Sequence, residues 1–404
     1  MKISNLRIEK REDQSYLTVD INTQFIPLHT QYNKLWFSVP SQYEDWLTDD
    51  VYDAFLVAAL YPAMYYNEPI IIEGNVSHRL YYNCVHYVKS IIGYFRDGMS
   101  DVEISVQGYA NAKKKYHHVG TGFSAGVDSF ATFIDHYVRE TDPDYKIDSL
   151  FFFNVGSHGG GGDVARRKFL ERFNYLKPFP DEVGLPYISM DSNLFDFYQK
   201  YWEFDAGEFC RCAGILVFQR ALDKYYLSSD YSYKETMFFH FNRATTSFSE
   251  LAETFTNPLL STEGCEIISD GGQYMRTDKT LLLRDYEPAH RYLNVCVSPQ
   301  ESACNCGHCQ KCIRTLVALD TLGMLDDFSG VFDLKDYHRH KFGYKCNLRY
   351  YYRSNAYIKD NVDFAKAQGK PFPPYIVAFI YMSFVRLGWQ IDKIKRIINK
   401  RKCQ

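Results

Sequence analysis

The run Phe123-Ser124-Ala125-Gly126-Val127-Asp128-Ser129 carries residue types suited to gripping a phosphate. It follows a strand-like stretch, Tyr116 to Phe123, and leads into the helical spacing of Phe130, Ala131, Phe133, Ile134 and Tyr137. The first turn of a helix presents unpaired backbone N–H groups and the positive end of the helix dipole, and both attract an anion. Ser124, Ala125 and Gly126 are small, so backbone can approach a ligand closely. Ser129 adds a hydroxyl. Asp128 would repel a bare phosphate, but it fits if Mg²⁺ bridges its carboxylate to phosphate oxygens. The bland alternative is a plain helix start, with Asp128 and Ser129 serving only the helix N-terminus.

Three phosphate loops compete for this stretch. A Walker loop needs Gly-Lys-Ser/Thr, and no lysine follows Gly126. Gly120-Thr121-Gly122-Phe123-Ser124-Ala125 matches the dinucleotide fingerprint. That fingerprint wants an acid at the end of the next strand, where Leu150–Phe153 ends at Asn154. The third pattern is S-x-G-x-D-S, with Asn154 at the neighbouring strand end as a further candidate nucleotide contact.

The second chemical cluster is sulfur. Five of the eleven cysteines fall between Cys296 and Cys312. Cys306-Gly307-His308-Cys309-Gln310-Lys311-Cys312 forms two overlapping C-x-x-C turns, and Cys296 can complete a tetrahedron. A Cys₄ site with no open position is a structural zinc site. Cys304 is an alternative fourth ligand, and the same spacing also occurs in iron–sulfur proteins. Cys210 and Cys212 read as two buried thiols, and Cys84 as a small hydrophobe.

These groups need a scaffold. The chain has 404 residues, enough for two or three domains, with 46% hydrophobic and 24% charged residues. Aromatic content is 17%, so ring-rich cores are expected. A formal charge of −3 gives no global pull toward nucleic acid. No signal-like or membrane-spanning run is seen, and cysteines without a signal peptide suggest reduced thiols, so a cytoplasmic protein without membrane association is expected. Residues 1–112 read as a separate mixed α+β module, with strands at Leu17–Ile21, Lys34–Val39 and Pro69–Ile72 and helices at Asp50–Tyr65 and Leu80–Phe95.

Residues 113–325 alternate strand and helix, which argues for a parallel sheet with helices on both faces. Lys113-Lys114-Lys115 reads as a solvated linker, with nucleotide attraction as the alternative. Gly156-Ser157-His158-Gly159 and the glycines after it form a lid or a flexible loop. A helix is expected from near Glu208 to Tyr226, the next strand at Tyr225–Ser228, and a loop over Pro258–Glu263. Arg276 and Lys279, three apart, could grip a triphosphate or pair with surface acids. Residues 326–404 read as a helical extension. Its last stretch, Ile391 to Lys402, has an isoleucine stripe and a basic face, which suits docking on the body or contact with nucleic acid or an acidic partner.

Together, the Ser124–Ser129 loop and the late cysteines resemble the PP-loop ATPases, specifically the 7-cyano-7-deazaguanine synthase (QueC) family. That family carries C-x₈-C-x₂-C-x₂-C, and here nine residues separate Cys296 from Cys306. The resemblance spans about residues 116–320. It implies an adenine nucleotide alpha hydrolase-like fold, ATP, Mg²⁺ and Zn²⁺ as cofactors, and adenylation of the carboxylate of 7-carboxy-7-deazaguanine followed by attack of an amine. It implies roles for Asp128, Ser129 and Lys279 in catalysis, for Ser124, Ala125, Gly126, Val127 and Asn154 in nucleotide binding, and for Cys296, Cys306, Cys309 and Cys312 in zinc binding. Gly156-Ser157-His158-Gly159 stands where the family has Gly-Gln-Arg-His. The long extensions at both ends resemble the QueC-like proteins of bacterial antiphage systems, including type IV CBASS. There a protein acceptor or defence-system partner, and a homodimer, come into view. A tRNA-thiolating PP-loop enzyme and a non-catalytic nucleotide-binding subunit are the alternatives.

Overall fold

A computed structural model describes residues 1–29, 34–156, 158, 161–198, 206–239, 248–297 and 303–402, with backbone alone at 237–239, 248–252 and 389–402. Ten strands form one sheet. They are β1 (Lys2–Arg11), β2 (Gln14–Asn22), β3 (Lys34–Pro40), β4 (Ile70–Val76), β5 (Ile104–Tyr109), β6 (His118–Gly122), β7 (Ser149–Asn154), β8 (Tyr187–Ser192), β9 (Leu222–Ser228) and β10 (Glu266–Asp270). Their order is β10-β9-β6-β7-β8-β3-β2-β1-β4-β5. The chain is therefore α/β, with a mostly parallel sheet.

The strands β6 to β10 are all parallel. Counted from β6, their order across the sheet is 3-2-1-4-5. That winding has a switch point between β6 and β9, and ligands of open α/β sheets sit outside the carboxyl ends of strands at such a point. The Ser124–Ser129 loop leaves β6 there. The apolar run of β7, Ser149-Leu150-Phe151-Phe152-Phe153-Asn154, suits a strand covered on both faces, and only Phe153 is not fully buried.

The first 112 residues do not form a sheet of their own. β3 pairs antiparallel with β8 through Phe37–Ser192 and Ser38–Asp191, so the amino-terminal strands extend the parallel sheet. The helix Asp53–Tyr66 is buried almost all round, from Asp53 to Met64. A helix apolar on every side belongs in an interior, and this one packs against the helix Gly207–Leu216. The compact units are residues 1–273 and 274–404, whereas the sequence reading divides the chain near 112 and 325.

Local expectations are corrected in three places. The helix expected over Glu208–Tyr226 ends at Leu216, and β9 begins at Leu222. Pairing with β6 and β10 decides this, since Leu222-Asp223-Lys224-Tyr225-Tyr226 has no strong local preference. Pro258 and Leu259 close a helix, Phe248–Leu259, rather than opening a loop. β1 and β10 were not expected. β1 ends in Glu9-Lys10-Arg11, and β10 is only five residues long.

The second unit is helical, with Arg276–Leu282, Gln310–Leu322, Leu334–Tyr350, Ala356–Ala367 and Tyr375–Lys402 among its elements. Among the described residues, no helix is long and apolar enough to cross a membrane.

Candidate nucleotide loop and metal centre

The phosphate-type loop is anchored from below. Phe123 N–H donates to Phe151 O at 2.8 Å, and the buried Tyr187 hydroxyl donates to Phe123 O at 2.8 Å. The Phe123 ring stacks on Phe179 at 4.6 Å. Ala125 then takes φ +54°. This left-handed conformation disfavours a side chain and is the natural place for glycine. Gly126 is extended and caps the helix Val127–Phe133, which continues as a π turn, Ile134–Val138. The Ser129 hydroxyl donates to Gly126 O at 3.1 Å and lies 3.5 Å from Ser124 Oγ. Both hydroxyls thus border the same helix start. Val127 is buried in the core, so only its backbone is available to a ligand.

One turn on, Thr132 donates to Asp270 Oδ2 at 2.7 Å and lies 2.9 Å from Ser228 Oγ. Asp270 also pairs with His136 Nε2 at 2.8 Å. These bonds tie the loop helix to the ends of β9 and β10.

Asn154 ends β7, but its amide is engaged: Nδ2 donates to Asp191 Oδ1 at 2.6 Å. Arg166 Nε donates to Asp191 Oδ2 at 3.0 Å, and its guanidinium lies over the Trp36 ring at 5.3 Å. Burial raises the Asp191 pKa against the opposing pull of Asn154 and Arg166. A small cleft of about 10 Å³, room for about one water, opens beside these groups, lined by Asn154, Gly156, Gly161, Arg166, Ser192 and Asp196 among others. None of Ser124–Ser129 lines it.

The helix Gly162–Leu176 begins at this cleft, and Asp196 already occupies its N-terminus by accepting from Gly162 N–H at 2.5 Å. Arg166 therefore has internal partners in Asp191 and Trp36. His158 is buried edge-on against Phe152 and Phe169, and desolvation lowers its pKa to about 4. It is a packed neutral ring. Ser157, Gly159 and Gly160 lie outside the described residues.

The lysine triplet is solvated at Lys113 and Lys115, which are exposed, but Lys114 is drawn into the body. It precedes β6, at the end opposite the loop. Lys114 Nζ donates to Gln219 O, Leu222 O and Gly264 O at 2.9, 2.6 and 2.5 Å, and pairs with Asp223 at 3.0 Å. Lys115 pairs with Asp45.

In the second unit, four thiols converge. Cys296, Cys306, Cys309 and Cys312 have sulfurs all within 4.8 Å of one another. Cys296 and Cys309 sulfurs are 3.9 Å apart, and those of Cys306 and Cys312 are 4.0 Å apart. A tetrahedral ion with metal–sulfur bonds of ~2.3 Å requires sulfur separations of about 3.8 Å. The cluster therefore could hold a metal such as zinc. Backbone N–H groups of His308, Cys309 and Cys312 point at Cys306 and Cys309 sulfurs, which offsets thiolate charge. Gly307, at φ +73°, makes the tight turn between ligands.

As free thiols, Cys309 and Cys312 divide a proton. A hydrogen bond from Cys312 is the main cause that holds Cys309 low, and the same contact raises Cys312. Asn305 braces the segment by accepting from Val295 N–H and donating to Leu293 O. Cys304 is exposed and outside the cluster. Cys210 and Cys212 are buried thiols, and desolvation raises Cys212 to about 12.

No protein-family model, curated protein or solved structure matches the chain. Lys279 and Arg276 belong to the second unit, on the helix Arg276–Leu282. Lys279 is 2% exposed and Arg276 7%, so neither is a solvated surface cation. Their neighbour Thr277 donates its backbone N–H and its hydroxyl to Asp360, which fixes the helix start.

Proposed function

We propose that the protein is an ATP-dependent ligase or synthase that adenylates the carboxylate of a deazapurine and passes the acyl group to an amine. The observation that carries this reading is the position of Ser124–Ser129. The loop leaves the first strand of a 3-2-1-4-5 parallel array at its switch point, with two hydroxyls bordering one helix start.

In this proposal, the loop backbone with Ser124, Gly126 and Ser129 holds the β and γ phosphates, and Asp128 holds Mg²⁺. A carboxylate oxygen of the substrate attacks the α phosphorus, and the bond to pyrophosphate breaks. An amine then attacks the acyl carbon, and AMP leaves with the bond electrons while the amine loses a proton. Zinc is the metal proposed for the four thiolates, a soft closed donor set with no open position, and its role is to hold residues 296–312 in place. 7-Carboxy-7-deazaguanine is the proposed substrate, and ammonia or a protein amine the acceptor.

The test is incubation of the zinc-loaded protein with Mg-ATP and 7-carboxy-7-deazaguanine, with and without ammonium. Mass spectrometry follows AMP, amide, nitrile and any mass gained by protein. AMP formed only when the carboxylate is present is the expected result. Its absence under every condition, with the protein folded and zinc-loaded, overturns the proposal.

A further inference from the structure

We infer that Asp270, at the carboxyl end of β10, is the positioning residue for the Ser124–Ser129 turn; what the turn holds rests on the ligase reading above. β10 is not a neighbour of β6, since β9 lies between them. The Asp270 carboxylate still reaches the helix that follows β6. Oδ2 accepts from the Thr132 hydroxyl at 2.7 Å, and Oδ1 pairs with His136 Nε2 at 2.8 Å. Thr132 Oγ1 also lies 2.9 Å from Ser228 Oγ, at the end of β9. Thr132 has one hydroxyl hydrogen and gives it to Asp270, so Ser228 is the donor in that second contact. One carboxylate thus joins the loop helix to the ends of two strands.

The turn has two ends to fix. Its entry is held by the Phe123 N–H on Phe151 and by the Tyr187 hydroxyl on Phe123 O. Its exit is the start of the helix, and a helix held at one end can still rotate about its axis and slide along it. Thr132 and His136 are four residues apart, ~6 Å along a helix and on one face of it. Two bonds at that spacing to a single acceptor stop both motions. Ser129 and Asp128 lie three and four residues before Thr132, about one turn away, and take their register from it.

The acceptor is itself held. Asp270 is buried, and its backbone O accepts from Ser229 N–H at 2.7 Å. The His136 ring stacks on Tyr226 at 3.7 Å and 15°, which sets the direction of Nε2. His136 Nδ1 is buried without a hydrogen-bond partner, so the contact with Asp270 is the ring's polar anchor. Asp270 acts on the turn through Thr132 and His136. A displacement of ~1 Å at a reacting centre costs about a hundredfold in rate, so this anchoring matters more to the reaction than to affinity.

The test compares the full chain with Asp270→Ala, Thr132→Val and Thr132→Ser, using Mg-ATP and 7-carboxy-7-deazaguanine. Asp270→Ala should lower kcat for AMP formation by about a hundredfold and raise KM for ATP by less than about threefold, since the turn keeps its own N–H groups. Thr132→Val, which keeps the shape and loses the hydroxyl, should lower kcat by about tenfold, and Thr132→Ser should stay within about twofold of wild type. Lys114→Met, at the opposite end of the same sheet, controls for general loss of stability and should leave kcat unchanged. A kcat in Asp270→Ala within about threefold of wild type, a loss confined to KM, or an equal fall in Lys114→Met overturns the inference. Where Asp270→Ala does not fold, the Thr132 pair decides, and equal rates in Thr132→Val and Thr132→Ser overturn it. A wild type that makes no AMP refutes the ligase reading, and hydrogen exchange then judges Asp270 by itself. Amides of 124–136 should exchange at least about tenfold faster in Asp270→Ala, with those of β1 and β2 unchanged. Unchanged exchange at 124–136, or equal acceleration throughout residues 1–273, overturns the inference without any turnover.

Discussion

Replacing Lys114 by methionine should destabilise the first unit and leave nucleotide chemistry alone. The ammonium joins three backbone carbonyls: Gln219 and Leu222, on either side of the start of β9, and Gly264, just before β10. It therefore fastens β6, β9 and β10 together at their edge opposite the loop. Methionine keeps most of the stem and removes every donor. Hydrogen bonds from a charged donor contribute ~1.5–3 kcal/mol each. The Lys114 side chain is 20% exposed, so water can reach part of the vacated space and the low end applies.

The Asp223 partner is 35% exposed and adds little. Three coupled bonds at that level give a loss of about 3 kcal/mol rather than a full sum. With a urea slope near ~3 kcal/mol per M, the unfolding midpoint falls by about 1 M at unchanged slope. Urea titration by far-UV circular dichroism measures the shift, and ATP binding is measured alongside. A midpoint moved by less than about 0.2 M, or unchanged stability with weakened ATP binding, refutes the clamp.

Other expectations concern charge, metal and chemistry. Asp53 is fully buried, and burial raises its pKa to about 6 against hydrogen bonds from Ser77 and Gln219. The folded state therefore binds a proton that the unfolded state has lost between about pH 4 and 6, so stability falls as pH rises through that window. Asp53→Asn should gain on wild type by up to about 3 kcal/mol between pH 4 and pH 7, and parallel stability curves would refute it. Cys306→Ser and Cys312→Ser should lose the bound metal while Cys304→Ser keeps it, as read by elemental analysis. Metal loss in Cys304→Ser, or retention in both others, would redraw the site. Asp128→Asn should cut AMP formation by about a hundredfold or more at an unchanged melting midpoint. An undiminished rate would remove Asp128 from the proposed metal site.

Residues that could be read from the sequence were those whose signal is local. A strand, small residues and an apolar helical run identify the Ser124–Ser129 turn without any distant contact. Two C-x-x-C turns likewise bring Cys306, Cys309 and Cys312 together, and Cys296 joins them at the expected place. What was hidden depends on partners far along the chain. Nothing in Lys113-Lys114-Lys115 announces that the middle residue will face the turns at 219–222 and 264, about a hundred and more positions away. β1 and β10 owe their strand character to neighbours, being polar at one end or very short. Ala125 reads simply as a small residue, and its positive φ is a property of the folded loop.

The amino-terminal strands also change what the cleft beside β7 and β8 can be. β3 continues the sheet past β8, with Ser192 Oγ donating to Trp36 O and Trp36 N–H donating to Asn193 Oδ1. Trp36 thereby supports the Arg166 guanidinium, which pairs with Asp191, which in turn takes the Asn154 amide. A residue from the first 112 thus helps to set the orientation of a side chain at the carboxyl end of the second parallel strand. Asp191 and Arg166 hold each other, and Asp191 also takes the Asn154 amide, on a frame that β3 extends. The extension that sequence reading set apart as a module therefore helps to hold the Arg166–Asp191 pair beside the cleft.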